Sequence, residues 1–110
     1  MPARRAPALA VDPYVVDVLL PDLVGHDRRP SAFLTYLVLW RHSAGGRTVA
    51  ALSLRELAES TGLSKRAVQG ALATLARRRL IAVERAGPTA VPGYRALRPW
   101  DRAARASGRR

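Results

Sequence analysis

SLRELAESTGLSKRAVQGALATLARRR, residues 53–79, divides into two helical patterns around a break at Thr61-Gly62-Leu63. Ser53 followed by Glu56 has the spacing of a capping box, in which each side chain satisfies an orphan backbone N–H, so a first helix is predicted from about Leu54. Leu54, Leu57 and Ala58 recur at helical spacing, while Arg55, Glu56 and Glu59 fall on the other side. Gly62 supplies a left-handed stop. Leu63 reads as a buried turn residue, and Ser64 as the N-cap of a second helix that follows at once.

In that second helix Val68, Ala71, Leu72 and Leu75 share one face, and Arg66, Gln69, Gly70, Ala73 and Arg77 gather on the opposite one. The outer face is unlike an ordinary solvated face. It carries arginine and glutamine around two small residues, and no acid occurs from Ser64 to Ile81. Gly70 costs roughly 1 kcal/mol relative to alanine in a helix interior. It is either neutral drift or a place where a bulky partner comes close.

The pattern LxxLAxxxGLSxxxVxxxLxxLxxxxLI, from Leu54 to Ile81, resembles the helix-turn-helix of bacterial winged-helix transcription regulators of the multiple-antibiotic-resistance regulator type. The likeness extends over residues 31–97 and departs at Arg79, where these proteins usually carry a glycine. It implies a mainly α fold with a small β-hairpin wing, a winged helix-turn-helix. The first helix would be central, and the second helix of the motif would lie in the DNA major groove.

Upstream, Arg47–Leu52 is expected as a short strand leading into the Ser53 cap, and Ser43-Ala44-Gly45-Gly46 as a loop. Pro30 to about His42 is the most apolar helix, with Phe33, Leu34, Leu37, Val38 and Trp40 on its inner side. Ala32, Tyr36 and Leu39 fill much of the rest. The surplus apolar surface, Tyr36 and Leu39 included, points to a homodimer. Asp12-Pro13 reads as an N-cap and first-turn proline opening a short helix through Tyr14, Val15, Val18 and Leu19. A second turn starts at Pro21 and ends at Gly25, with an extended strand as the alternative. Met1–Val11 reads as a flexible arm whose Arg4 and Arg5 are more simply solvated than bound to phosphate.

Downstream, Leu80–Arg85 and Tyr94–Leu97 read as paired strands around the Gly- and Pro-rich tip Ala86–Gly93, which is the wing. The domain thus spans residues 12–100, with the helix-turn-helix at 53–79 and the wing at 80–97. Trp100 is expected to anchor its end on the core. Residues 101–110 form a basic tail with Arg102, Arg105, Arg109 and Arg110.

Composition narrows the partners. The formal net charge is +11 over 110 residues and the pI about 11.7, which suits a polyanion. Arginine-rich genome bias is the bland alternative. Asp12, Asp17, Asp22 and Asp27 place half of the eight acids in the first quarter, leaving the remainder more basic. The absence of cysteine excludes disulfides, thiol catalysis and Cys-ligated zinc. No apolar run reaches the roughly 20 residues of a membrane span, and the start is too short in apolar residues for a secretory signal. The expectation is a soluble cytoplasmic, nucleoid-associated protein.

On this reading the second helix enters the major groove, about 12 Å wide, with its first turns towards the bases. Ser64, Lys65, Arg66 and Gln69 are placed to read or grip it. Arg66 suits a two-way hydrogen bond to guanine and Gln69 one to adenine. Lys65 and Thr74 sit at the edges for phosphates, and Gly70 lets the helix lie deep. Ser53 and Arg55 offer phosphate contacts at the preceding helix N-terminus, although capping alone accounts for Ser53. Arg77, with Arg78 and Arg79, forms the sharpest cluster, which the helix dipole explains equally well. Arg85 and Arg95 flank the wing, in reach of phosphates or a minor groove. His26 and His42 stand without partners at metal spacing, and no metal or cofactor is expected.

The function expected is sequence-specific binding of double-stranded DNA by a transcriptional regulator. It would act as a homodimer with recognition helices about 34 to 36 Å apart, and no small-molecule effector region is evident. The alternative is a protein-interaction module in a replication or partition assembly. An enzyme lacks a nucleophile–base pair, a phosphate loop or a ligand cluster. Duplex RNA has a major groove too deep and narrow for this helix.

Overall fold

The computed structural model describes residues 8–85, 87 and 90–101. Arg4, Arg5, part of the wing tip and the basic tail from Arg102 onward lie outside the described residues. The chain runs through two π-helical turns, Val15–Leu19 and Pro21–His26, into α1 (Pro30–His42) and a 3-10 turn at Ala44–Gly46. Then follow β1 (Ala50–Ala51), α2 (Leu54–Thr61), α3 (Lys65–Arg77), β2 (Ile81–Glu84) and β3 (Gly93–Ala96). The antiparallel sheet has the order β1-β3-β2.

α1 is the axis of the core, packing on α3, α2, the second π-helical turn and β3. Its buried side chains are Ala32, Phe33, Thr35, Tyr36, Leu39 and Trp40, which corrects the face expected from sequence. Leu34, placed inside by periodicity, is 42% exposed, whereas Tyr36 and Leu39 are 0% exposed. When a helix is apolar nearly all round, its own periodicity cannot choose the buried arc; the neighbours choose it. Tyr36 also donates from its hydroxyl to the Leu97 carbonyl at 2.9 Å. The surplus attributed to a subunit interface is therefore largely core.

The N-terminal segment is helical, as its proline-capped pattern suggests, but wider in pitch. Leu20 N–H donates to the Val15 carbonyl, and Asp27 N–H to the Asp22 carbonyl at 2.8 Å, both five residues back. Pro21 has no N–H and would crowd the carbonyl four residues back in an α-helix; the five-residue turn accommodates it. Helix continues through Gly25 to His26, so Gly25 is not the stop expected. Val15, Leu19 and Leu23 reach the core.

Asp12 is not a side-chain cap. Its carboxylate accepts from Arg98 Nε at 3.1 Å and Trp100 Nε1 at 3.0 Å. Tyr14 and Trp100 stack with centroids 4.5 Å apart, and Trp100 lies over Trp40 at 6.5 Å. Trp40 Nε1 donates to the Ala10 carbonyl at 3.0 Å, and Leu9 packs against the core. The stretch read as a loose arm up to Val11 thus enters the packing by Leu9. Trp100 does anchor the end of the domain.

Only two of the six residues from Arg47 to Leu52 form strand, because a 3-10 turn precedes them. Gly46, at φ +93°, is the hinge of that turn. A Cβ there would run into the Ala96 carbonyl. The wing strands pair in the register Val83↔Tyr94 and Ile81↔Ala96, which turns Tyr94 and Ala96 to the core. Ser43 Oγ accepts from Ala96 N–H at 3.2 Å, fastening β3 to the end of α1.

Candidate nucleic-acid interface

The interface candidate is built on the cap-turn-cap segment. At the start of α2, Ser53 Oγ accepts from Glu56 N–H at 3.1 Å and Ser53 N–H donates to Glu56 Oε1 at 2.8 Å. The donated backbone hydrogen bond holds the Glu56 carboxyl below its ordinary range. Gly62 takes φ +79° at the end of α2. Thr61 Oγ1, which donates to the Leu57 carbonyl at 2.7 Å, accepts from Leu63 N–H at 3.2 Å. Ser64 Oγ then accepts from Ala67 N–H at 3.0 Å and opens α3.

Val68, Ala71 and Leu75 are buried along α3 and hold it against α1. Lys65, Arg66 and Gln69 are exposed on the outer side, and none has an ion pair or side-chain hydrogen bond among the described residues. Gly70 is half-covered. A Cβ on it would lie 3.8 Å from Arg29 Nη1, an ordinary contact. Arg77 is exposed about two turns farther along.

Several residues sit elsewhere than expected. Thr74 is 2% exposed and belongs to the α3 packing face, so it does not edge an outer face for phosphate contact. The hundred-degree step puts it between the two arcs, and the packing of α3 buries it. Leu72, expected in the core, is only partly buried. Arg55 is engaged by Glu59 at 3.3 Å, and Ser53 is fully used by its capping box. In the wing, Arg85 Nη1 donates across the tip to the Ala90 carbonyl at 3.3 Å. Arg95 pairs with Ala82 on the sheet face away from Tyr94 and has its Nε buried.

The arginine triplet divides by role. Arg78 donates to Asp22 Oδ2 and Asp27 Oδ2, each at 2.6 Å, tying the N-terminal segment to the end of α3. These bonds raise the Arg78 pKa, Asp22 contributing most. The Asp27 carboxyl is held below its usual range by Arg78 first and by His26 second. His26 also corrects the expectation of a histidine without acidic partners: its Nδ1 lies 3.3 Å from Asp27 and 3.7 Å from Asp22. The three side chains could converge on one ion, but Arg78 already occupies the carboxylates. Arg79 takes φ +59°. Its N–H donates to the Ala76 carbonyl at 3.0 Å, and Leu80 N–H to the Leu75 carbonyl at 2.9 Å. That is a Schellman ending, with arginine in the place that favours glycine.

Two capped helices joined by a left-handed glycine turn, the second exposing unpaired cations, and a hairpin following it form one recognisable arrangement. Residues 29–81 match the family described as helix-turn-helix domain. The chain carries a winged helix-turn-helix. No curated protein and no solved structure matches the chain. The matched span takes in α1, α2 and α3 and stops where β2 begins, so the likeness is to the helix-turn-helix itself and does not reach the narrower regulator type. In this motif the second helix is the one that enters the major groove of DNA. Here the second helix of the motif is α3. Arg29, which sequence analysis left aside, stands beside it; its only sequence signal is an arginine just before the Pro30 helix start.

Proposed function

We propose that the helix-turn-helix binds double-stranded DNA sequence-specifically as a transcriptional regulator, with α3 in the major groove. The observation that carries this reading is the outer side of α3, where Lys65, Arg66 and Gln69 are exposed with no competing partner among the described residues. Arg66 and Gln69 are the base-reading side chains, suited to guanine and adenine edges. Ser64 and Lys65 grip at the helix start, Arg77 meets the backbone farther along, and Arg85 and Arg95 serve from the wing. Ser53 and Arg55 contribute at the α2 N-terminus, with Arg55 first leaving Glu59.

Homodimerisation belongs to the same proposal. Its support narrows to apolar side chains that stay exposed in the first third of the chain, Val16, Val18 and Leu34 among them. No helix of the described residues is long and apolar enough to cross a membrane, which agrees with a role on DNA.

Selection of bound sequences from random duplexes tests the reading directly. The expected result is an enriched motif, repeated as a palindrome if two copies bind. Arg66→Ala and Gln69→Ala should each weaken binding to that motif by about 1 to 3 kcal/mol while leaving the thermal midpoint unchanged. No enrichment, or variants that bind the motif as well as the parent, would reject it.

A further inference from the structure

Between the C-terminal half of α3 and the turn before α1 lies an open cleft of about 420 Å³, lined by Asp27, Arg29, Thr74, Arg77 and Arg78. Its charges are not balanced. Arg78 takes both nearby carboxylates, Asp22 and Asp27, at 2.6 Å each. Arg29 and Arg77 make no ion pair or side-chain hydrogen bond among the described residues, and both are exposed. Arg29 also reaches α3 at Gly70, where the absent side chain leaves its guanidinium 3.8 Å from the Cβ position.

We propose that Arg29 and Arg77 form a phosphate subsite that holds one DNA backbone at the rim of the major groove, with Arg29 as a binding residue outside the two motif helices. The proposal rests on the reading of α3 as the recognition helix. Arg66 and Arg77 lie eleven positions apart on α3, about 16 Å along the axis at 1.5 Å per residue. The N-terminal residues of a recognition helix are the ones that contact base edges. When Arg66 faces base edges, Arg77 is carried beyond the groove floor to the strand that borders it. Arg29, in the turn before α1, lines the same cleft as Arg77. Two guanidinium groups with no acid of their own to satisfy give a phosphate oxygen charge-assisted donors. Asp27 also lines the cleft, but its carboxylate and that of Asp22 are both paired with Arg78.

The test is the salt dependence of binding by the full chain to two duplexes, one bearing the selected motif and one of random sequence. Arg29→Ala should weaken both by a similar factor, roughly tenfold for a charge-assisted hydrogen bond. It should also lower the slope of log affinity against log salt by about 1. Arg29→Lys should restore the slope, because a phosphate accepts either cation. Arg29 is exposed and its backbone N–H bond to Leu23 is independent of the side chain, so the variant folds; an unchanged thermal midpoint checks this. An unchanged slope in Arg29→Ala, alongside loss of sequence preference in Arg66→Ala, overturns the subsite and leaves the recognition helix standing. A loss confined to the motif duplex also overturns it, since a phosphate contact is blind to sequence. If the parent chain binds neither duplex at low salt, both proposals fall.

Discussion

Gly70 and Arg79 are two residues at which local preference and observed structure disagree, and each disagreement makes a prediction. Gly70 sits in the interior of α3 with only Arg29 nearby, so packing gives no reason for glycine. Gly70→Ala should stabilise the fold by about 0.5 to 1 kcal/mol, read from the denaturant midpoint. On the groove reading the same change weakens DNA binding, and stability gained without affinity lost would return Gly70 to neutral drift. Arg79 holds φ +59°, where a Cβ crowds the backbone. Arg79→Gly should stabilise by about 1 kcal/mol without altering the Schellman hydrogen bonds. Arg78, one position earlier, is the opposite case: its backbone, at φ −84°, is unstrained and its side chain is committed to Asp22 and Asp27. Nothing in three adjacent arginines distinguishes the ion-paired one, the strained one and the exposed one.

Among the elements, α3 tests the difference between a periodic pattern and an actual buried arc. Leu72 and Leu75 look alike in sequence, yet Leu75 is 0% exposed and Leu72 only partly buried. Leu75→Ala should therefore cost about 2 to 5 kcal/mol, and Leu72→Ala distinctly less, in parallel urea titrations. Equal losses would mean that the packing of α3 on α1 is misassigned. α2 and α3 are the elements whose bounds sequence reading reached directly: Ser53, Glu56, Gly62 and Ser64 act within one turn of themselves, so neighbours in sequence suffice to set them. α1 was legible as a helix and not as an orientation. The π-helical turns were legible only as helix, because their pitch answers to Pro21 and to what Leu19 and Leu23 must reach. Thr74 was misread for a related reason. A residue on the border between two arcs is buried or exposed according to what packs beside it.

Contacts between remote segments close the whole molecule, Asp12 with Arg98 and Trp100 at one place and Asp22 and Asp27 with Arg78 at another, and carboxyl pairing gives it a response to pH. Asp27 and Glu56 both have carboxyls depressed in the folded state, Asp27 through Arg78 and then His26, Glu56 through the Ser53 backbone. A group with a depressed folded pKa contributes stability that is fully present above its unfolded value, about 4. That contribution disappears as pH falls through the folded value. The thermal midpoint should hold from pH 7 to about 5 and fall below about 4. Arg78→Met should lower the neutral-pH midpoint and flatten part of the acid slope, because Asp27 then loses the partner that depresses it. A neutral-pH midpoint and an acid slope both unchanged by that substitution would exclude the Asp22–Arg78–Asp27 network as a source of stability.

Ser53–Arg79 by itself determined the two capped helices, the glycine turn between them and the cationic outer side of the second. Those features depend on hydrogen bonds and periodicities that close within a few residues. The register of the wing, the arc that α1 buries, the sorting of the three arginines and the approach of Arg29 to Gly70 were decided only in three dimensions. Each joins residues far apart in the chain, and packing and charge neutralisation between remote segments leave no periodic trace in a linear sequence.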